Sequence, residues 1–192
     1  MCMIRKFTVY MASALLLLGS TSCGGDDSIE QAAAQSVEQF EAAGVQGMKN
    51  DALFIAEATS ANMLQVQLGN LALERAVSPE VKEMAQDMST GHRRVMEDLQ
   101  DVAVQGEFVV PNELGSSHQK VYNEVSGETG IGFDLAYIKR IREEHNRLLK
   151  RYEDMAENAI NMDVKQFASK QLPLLRQHLQ KAEALEDRLG SI

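Results

Sequence analysis

Three of the four histidines are the residues best placed to do chemistry. Neutral imidazole is a ligand for zinc, copper and iron, and it changes charge near neutral pH. His92, His145 and His178 fall on core-facing positions of three different predicted helices, each near the middle of its helix. In an antiparallel bundle all helix midpoints share one level, so the three imidazoles should converge. A further helix brings Gln65 to the same level, the only polar residue in the middle of its apolar stripe. His92, His145, His178 and Gln65 are therefore the candidate metal ligands. Met88 and Met96 lie one turn either side of His92, and thioether sulfur leans the choice between zinc and copper toward copper(I), although methionine is common core filler. The competing reading is a buried polar layer in which the histidines bond one another, Gln65, Tyr137 or Tyr152. Such a layer would fix helix register and respond to pH. His118 reads as a solvated residue of a connecting segment.

Other chemistries lack their residues. Ferritin-type di-iron sites need inward glutamates and Glu-x-x-His pairs, whereas the residues three before the core histidines are Ser89, Arg142 and Leu175. There is no Gly-x-Ser-x-Gly elbow, phosphate loop or His-Glu-x-x-His motif. No catalytic residue is assigned, and a non-catalytic protein is expected.

Helices must position these residues. The chain lacks Trp, aromatics are 5% of residues, and Ala, Leu, Gln, Glu and Met abound. That composition predicts an all-α fold. From Asp51 the apolar residues recur with helical period. A first helix near 51–76 carries Phe54, Ala58, Ala61, Leu68 and Ala72 on one face. Ser78-Pro79-Glu80 opens a second, near 79–105, with a Ser cap, Pro in the first turn and an acid behind it. Phe133, Tyr137, Ile141, Leu148 and Tyr152 mark a third near 132–160, and Val164, Phe167, Leu175 and Leu185 a fourth near 163–189. Residues 107–131 form a long connection with one short helix near 117–125. Two hairpins joined by a long crossover between helices 2 and 3 describe a ferritin-like antiparallel four-helix bundle over 51–189, favoured over a simple up-down bundle. Gly91, Gly69 and Pro173 flank the histidine level, either as room for an ion or as close packing with one kink.

The N-terminal segment is different. Arg5 and Lys6 precede an apolar run, Phe7–Gly19, of about 13 residues, short of the roughly 20 a membrane span needs. Residues 1–22 read as a signal peptide. Ser20-Thr21-Ser22-Cys23 reads as a lipobox with Ser20 where Leu is usual, so Cys23 is the expected lipidation site. Cys2 leaves with the signal peptide, and a lone cysteine can form no internal disulfide. Residues 23–50 read as a lipidated cysteine and flexible tether, in which 28–43 could form a short helix before Gly44 and Gly47 break the chain. The partner is then a membrane, reached through the lipid. The expected location is the cell envelope, with the outer membrane favoured because Gly24 and not Asp follows the cysteine. After Cys23 the chain has 17 basic and 28 acidic residues, net 17 − 28 = −11, which argues against nucleic acid and anionic lipid heads as partners.

Several segments carry a resemblance: Asn62-Met63-Leu64-Gln65-Val66-Gln67-Leu68-Gly69-Asn70-Leu71-Ala72, Met88 to His92, Gly132-Phe133-Asp134-Leu135-Ala136-Tyr137, Glu144-His145, and Leu172-Pro173-Leu174-Leu175-Arg176-Gln177-His178-Leu179. From Asp51 to Leu189 the chain resembles the domain-of-unknown-function 4142 family of exported, ferritin-like bacterial proteins. The resemblance implies a four-helix fold and export, and it brings no activity. The family pattern often has Glu at the position of Gln65 and Asp at those of Gly91 and Glu144, so the strongest anionic ligand is replaced by an amide here.

Overall fold

A computed structural model describes residues 27–190. The signal peptide and Cys23 lie outside the described residues. Among those described there are six helices and no strand: α1 (Ser28–Ala42), α2 (Lys49–Arg75), α3 (Pro79–Gln105), α4 (Ser116–Ser126), α5 (Gly130–Asn158) and α6 (Met162–Gly190). The four helices expected from periodicity correspond to α2, α3, α5 and α6, and the short connecting helix to α4.

The tether expected over 23–50 is corrected from Asp27 onward. Asp27 caps α1 by accepting from the Ile29 N–H at 2.9 Å. Its other oxygen accepts from the Ser116 N–H at 2.7 Å, tying the start of α1 to the start of α4. Ile29, Ala32, Ala33, Ser36 and Phe40 form a buried stripe at helical spacing. Phe40 meets Phe108 edge-on at 5.1 Å, and the Ser36 hydroxyl accepts from the Val109 N–H at 2.8 Å. Gly44 and Gly47 do not loosen the chain. Both have positive φ, 79° and 84°, and turn it into α2.

With α1 on one side and α3 and α5 on others, α2 is buried nearly all round. Phe54, Ala58, Ala61, Leu64 and Leu68 face the main core, while Ile55 and Ala56 are also fully buried. Gly69 lets α3 come close: a Cβ there would lie 3.0 Å from the Ala85 carbonyl oxygen and the Ser89 nitrogen.

Two buried aspartates fix which helix ends meet. Asp134, at the start of α5, accepts from the Ser78 N–H at 2.7 Å and the Val77 N–H at 3.1 Å, at the start of α3. Asp51, at the start of α2, accepts from the Asn161 N–H at 2.7 Å and the Ile160 N–H at 3.2 Å, at the start of α6. Thus α3 and α5 begin at one end of the molecule, and α2 and α6 at the other.

The symmetry of these contacts exposes a repeat. Displacing the α2–α3 hairpin by 83 positions maps Asp51 onto Asp134, Phe54 onto Tyr137, Ile55 onto Ile138, Ala76 onto Ala159, Val81 onto Val164 and Ala85 onto Ala168. The hydrogen bonds map too. The Ala76 N–H donates to Ala72 and the Ala159 N–H to Met155, while Ser78 and Asn161 cap Val81 and Val164. Both link residues bend alike, Ala76 at φ −61°, ψ 143° and Ala159 at φ −60°, ψ 139°. Two versions of one helical hairpin pack face to face, and each supplies the aspartate that caps the other.

Candidate metal centre

The histidines meet midway between the two apolar clusters of the core. His92 and His145 are 0% exposed and His178 is 3% exposed. Their ring centroids are 5.1, 5.2 and 5.4 Å apart. His92 Nε2 lies 3.1 Å from His145 Nε2 and 3.3 Å from His178 Nδ1. One nitrogen from each ring falls within 4.8 Å of the others, and this is the only such ligand cluster among the described residues.

The outer bonds decide where the protons sit. Asn62 Nδ2 donates to the Ala58 carbonyl at 2.7 Å, so Asn62 Oδ1 faces His92 Nδ1 at 2.7 Å as an acceptor. The His92 proton is therefore on Nδ1. His145 Nδ1 lies 2.8 Å from the Ile141 carbonyl, which can only accept, so its proton is also on Nδ1. Both Nε2 atoms then present bare lone pairs to each other. A single N–H from His178 can serve only one of them.

A shared proton is a poor solution in this environment. Burial first, then the charges His145 and His178 would carry, holds His92 well below its ordinary value. Burial, helped by His178 and opposed by the Ile141 carbonyl, takes His145 down to about 3. Burial also takes His178 down to about 4, while Asp87 and Lys181 act on it in opposite directions. At neutral pH three uncharged rings point nitrogen atoms at a common centre. Tetrahedral coordination at metal–nitrogen distances of roughly 2.0–2.1 Å puts ligand nitrogens about 3.3 Å apart. The two distances from His92 Nε2, 3.1 and 3.3 Å, match that spacing, and the three nitrogens all lie within 4.8 Å of one another.

Two of the helix defects expected around this level, Gly69 and Gly91, lie at close approaches. A Cβ on Gly91 would lie 2.8 Å from His178 Cε1, so the bare backbone of α3 makes room for that ring. Pro173 sits inside α6, which remains one helix. Met88 is fully buried one turn before His92, whereas Met96 is only half-buried.

Gln65 does not bond the layer. It is fully buried, and neither its amide oxygen nor its nitrogen has a hydrogen-bond partner; the Tyr137 hydroxyl is likewise unpartnered. The α2 residue that reaches the histidines is Asn62, one turn earlier on the same face. Periodicity pointed past it because Asn62 flanks the apolar stripe. The repeat is the signal that finds it, since Asn62 occupies the position equivalent to His145. Asn62 Nδ2 also lies 3.2 Å from the Tyr152 hydroxyl.

His118 is corrected as well. It belongs to α4, is half-buried, and pairs through Nδ1 with the Ser60 hydroxyl at 2.7 Å. It lines a cleft of about 490 Å³ together with Phe54, Glu57, Glu144, Arg151 and Tyr152.

A model of the family described as Domain of unknown function (DUF4142) matches residues 31–185. The chain belongs to this family. The DUF4142 match begins inside α1, so the family segment includes the helix that docks on α2 as well as the histidine helices. No curated protein sequence matches the chain. Among solved structures, the crystal structure of a DUF305 fragment from Deinococcus radiodurans is similar, with a TM-score of 0.63 at 13% identity, over 74% of this chain and 97% of that one. At that identity the likeness concerns fold alone. This DUF4142 chain is all-helical, consistent with a ferritin-like helical fold, and its buried histidine triad could bind a metal.

Proposed function

We propose that this is a lipid-anchored cell-envelope protein whose ferritin-like four-helix bundle, α2, α3, α5 and α6 with a long crossover between α3 and α5, holds one transition-metal ion. His92 and His145 would bind through Nε2 and His178 through Nδ1. The observation that carries the reading is the facing pair of Nε2 atoms, 3.1 Å apart in a buried layer, of which a His178 N–H can satisfy only one. Two acceptors in that position repel, and a cation between them removes the repulsion. The binding role is non-catalytic.

The competing reading, a structural or stress-related envelope protein with a pH-responsive polar layer, draws support from the bonds to Asn62 and Ile141 that hold two of the rings. It leaves the facing lone pairs unexplained. Metal analysis of the purified chain separates the two. The metal reading expects near one equivalent of zinc or copper, a rise in Tm on adding it, and loss of both in His145→Ala. The structural reading expects no metal, with His145→Ala costing about 1–3 kcal/mol through unpaired partners.

A further inference from the structure

The balance of charge around the triad bears on which ion it takes, an inference that rests on the metal reading above. All three donors are neutral imidazoles, and the cluster contains no carboxylate. The groups behind the rings are neutral too. His92 is held by the amide oxygen of Asn62 and His145 by the backbone carbonyl of Ile141. Metal-ligating histidines donate their other N–H to a carboxylate, a backbone carbonyl or water, and of these only the carboxylate offsets part of the ion's charge. Here neither position has one. The nearby acids each have a basic partner: Glu144 pairs with Arg147, and Asp87 beside His178 pairs with Lys181, which offsets part of its pull on that ring.

An ion at the centre would therefore carry its full charge into the core. The cost of desolvating an ion scales with the square of its charge, so a dication pays about four times what a monocation pays in the same cavity. Hydroxide could offset a dication, but rings exposed by 0, 0 and 3% leave little water at the layer. The remaining neighbours suit a soft monocation. Met88, fully buried and one turn from His92, adds a neutral thioether to the same face of α3.

We infer that the triad is built for monovalent copper and discriminates against zinc(II) and copper(II) by its lack of negative charge. The test is anaerobic titration of the purified chain with copper(I) against a cuprous chelator, beside zinc(II) and copper(II) titrations against indicators for those ions. One equivalent of copper(I), bound at least about 100-fold more tightly than zinc(II) or copper(II), is expected. Zinc(II) or copper(II) bound as tightly as copper(I) overturns the inference and leaves the metal site standing. If none of the three ions binds, the metal reading itself fails. Asn62→Asp supplies the missing carboxylate at constant shape. It should move the preference toward zinc by roughly tenfold or more, with thermal melts confirming that the variant folds. An unchanged preference in the folded variant would show that charge behind His92 does not set the choice.

Discussion

At the residue scale, neutral buried imidazoles make stability depend on pH. His145 and His178 titrate at about 3 and 4 in the folded protein, against roughly 6.5 when unfolded. Between those values the unfolded chain binds protons that the folded chain does not. Metal-free protein should thus be fully stable above about pH 7 and lose stability progressively as the pH falls, by up to ~1.4 kcal/mol per unit for each group. Urea melts at a series of pH values measure this slope, and His178→Gln should flatten it. Gly91 offers a complementary probe. The methyl of Gly91→Ala would press on the His178 ring, so metal affinity should drop roughly 10- to 100-fold, measured by competition with a chelator. Unchanged affinity would mean that the His178 ring can shift without loss of the site. The convergence of His92, His145 and His178 was legible in the sequence because midpoints of antiparallel helices coincide however each helix runs. Asn62 was not, because hydrophobic periodicity ranks polar residues by whether they interrupt a stripe and says nothing of those at its edge.

At the scale of elements, α1 was the least legible part of the fold. Its apolar stripe is mostly alanine, and Gly44 and Gly47 look like a break although they form a turn. The clue lay in α2. Ile55 and Ala56 fall off its main stripe and are still fully buried, so something had to cover them. If α1 is integral, Phe40→Ala should cost about 3–5 kcal/mol, as for an aromatic lost from a core. A flexible tether would lose almost nothing. Chemical denaturation of the two proteins decides the point. The long helices were easier to read, because apolar residues recur at regular spacing in all four and Ser78 caps α3. Their duplication was obscured by sparse identities, and it shows only once Asp51 and Asp134 are seen capping reciprocal hairpins.

At the scale of the molecule, the docking of α1 changes what a lipid on Cys23 would do. The Asp27 carboxylate joins α1 to α4. Four peptide units separate Cys23 from Asp27, and fully extended they reach about 14 Å. An acylated Cys23 would hold the α1–α4 corner of the domain against the membrane surface and not lift it away, and the cleft beside Asp27 would open close to the lipid. Among the described residues no helix is long and apolar enough to cross a membrane. The excess of 28 acidic over 17 basic residues after Cys23 does not favour anionic headgroups. The wild-type protein should therefore enter the detergent phase of a two-phase partition, and Cys23→Ser should move it to the aqueous phase with its Tm unchanged. Wild-type protein found in the aqueous phase would end the lipid-anchor proposal. A flexible insert of about 20 residues after Gly24 should keep the protein in the detergent phase while making the α1–α4 corner more accessible to protease on intact vesicles. Equal accessibility with and without the insert would mean that the domain is not held close to the bilayer.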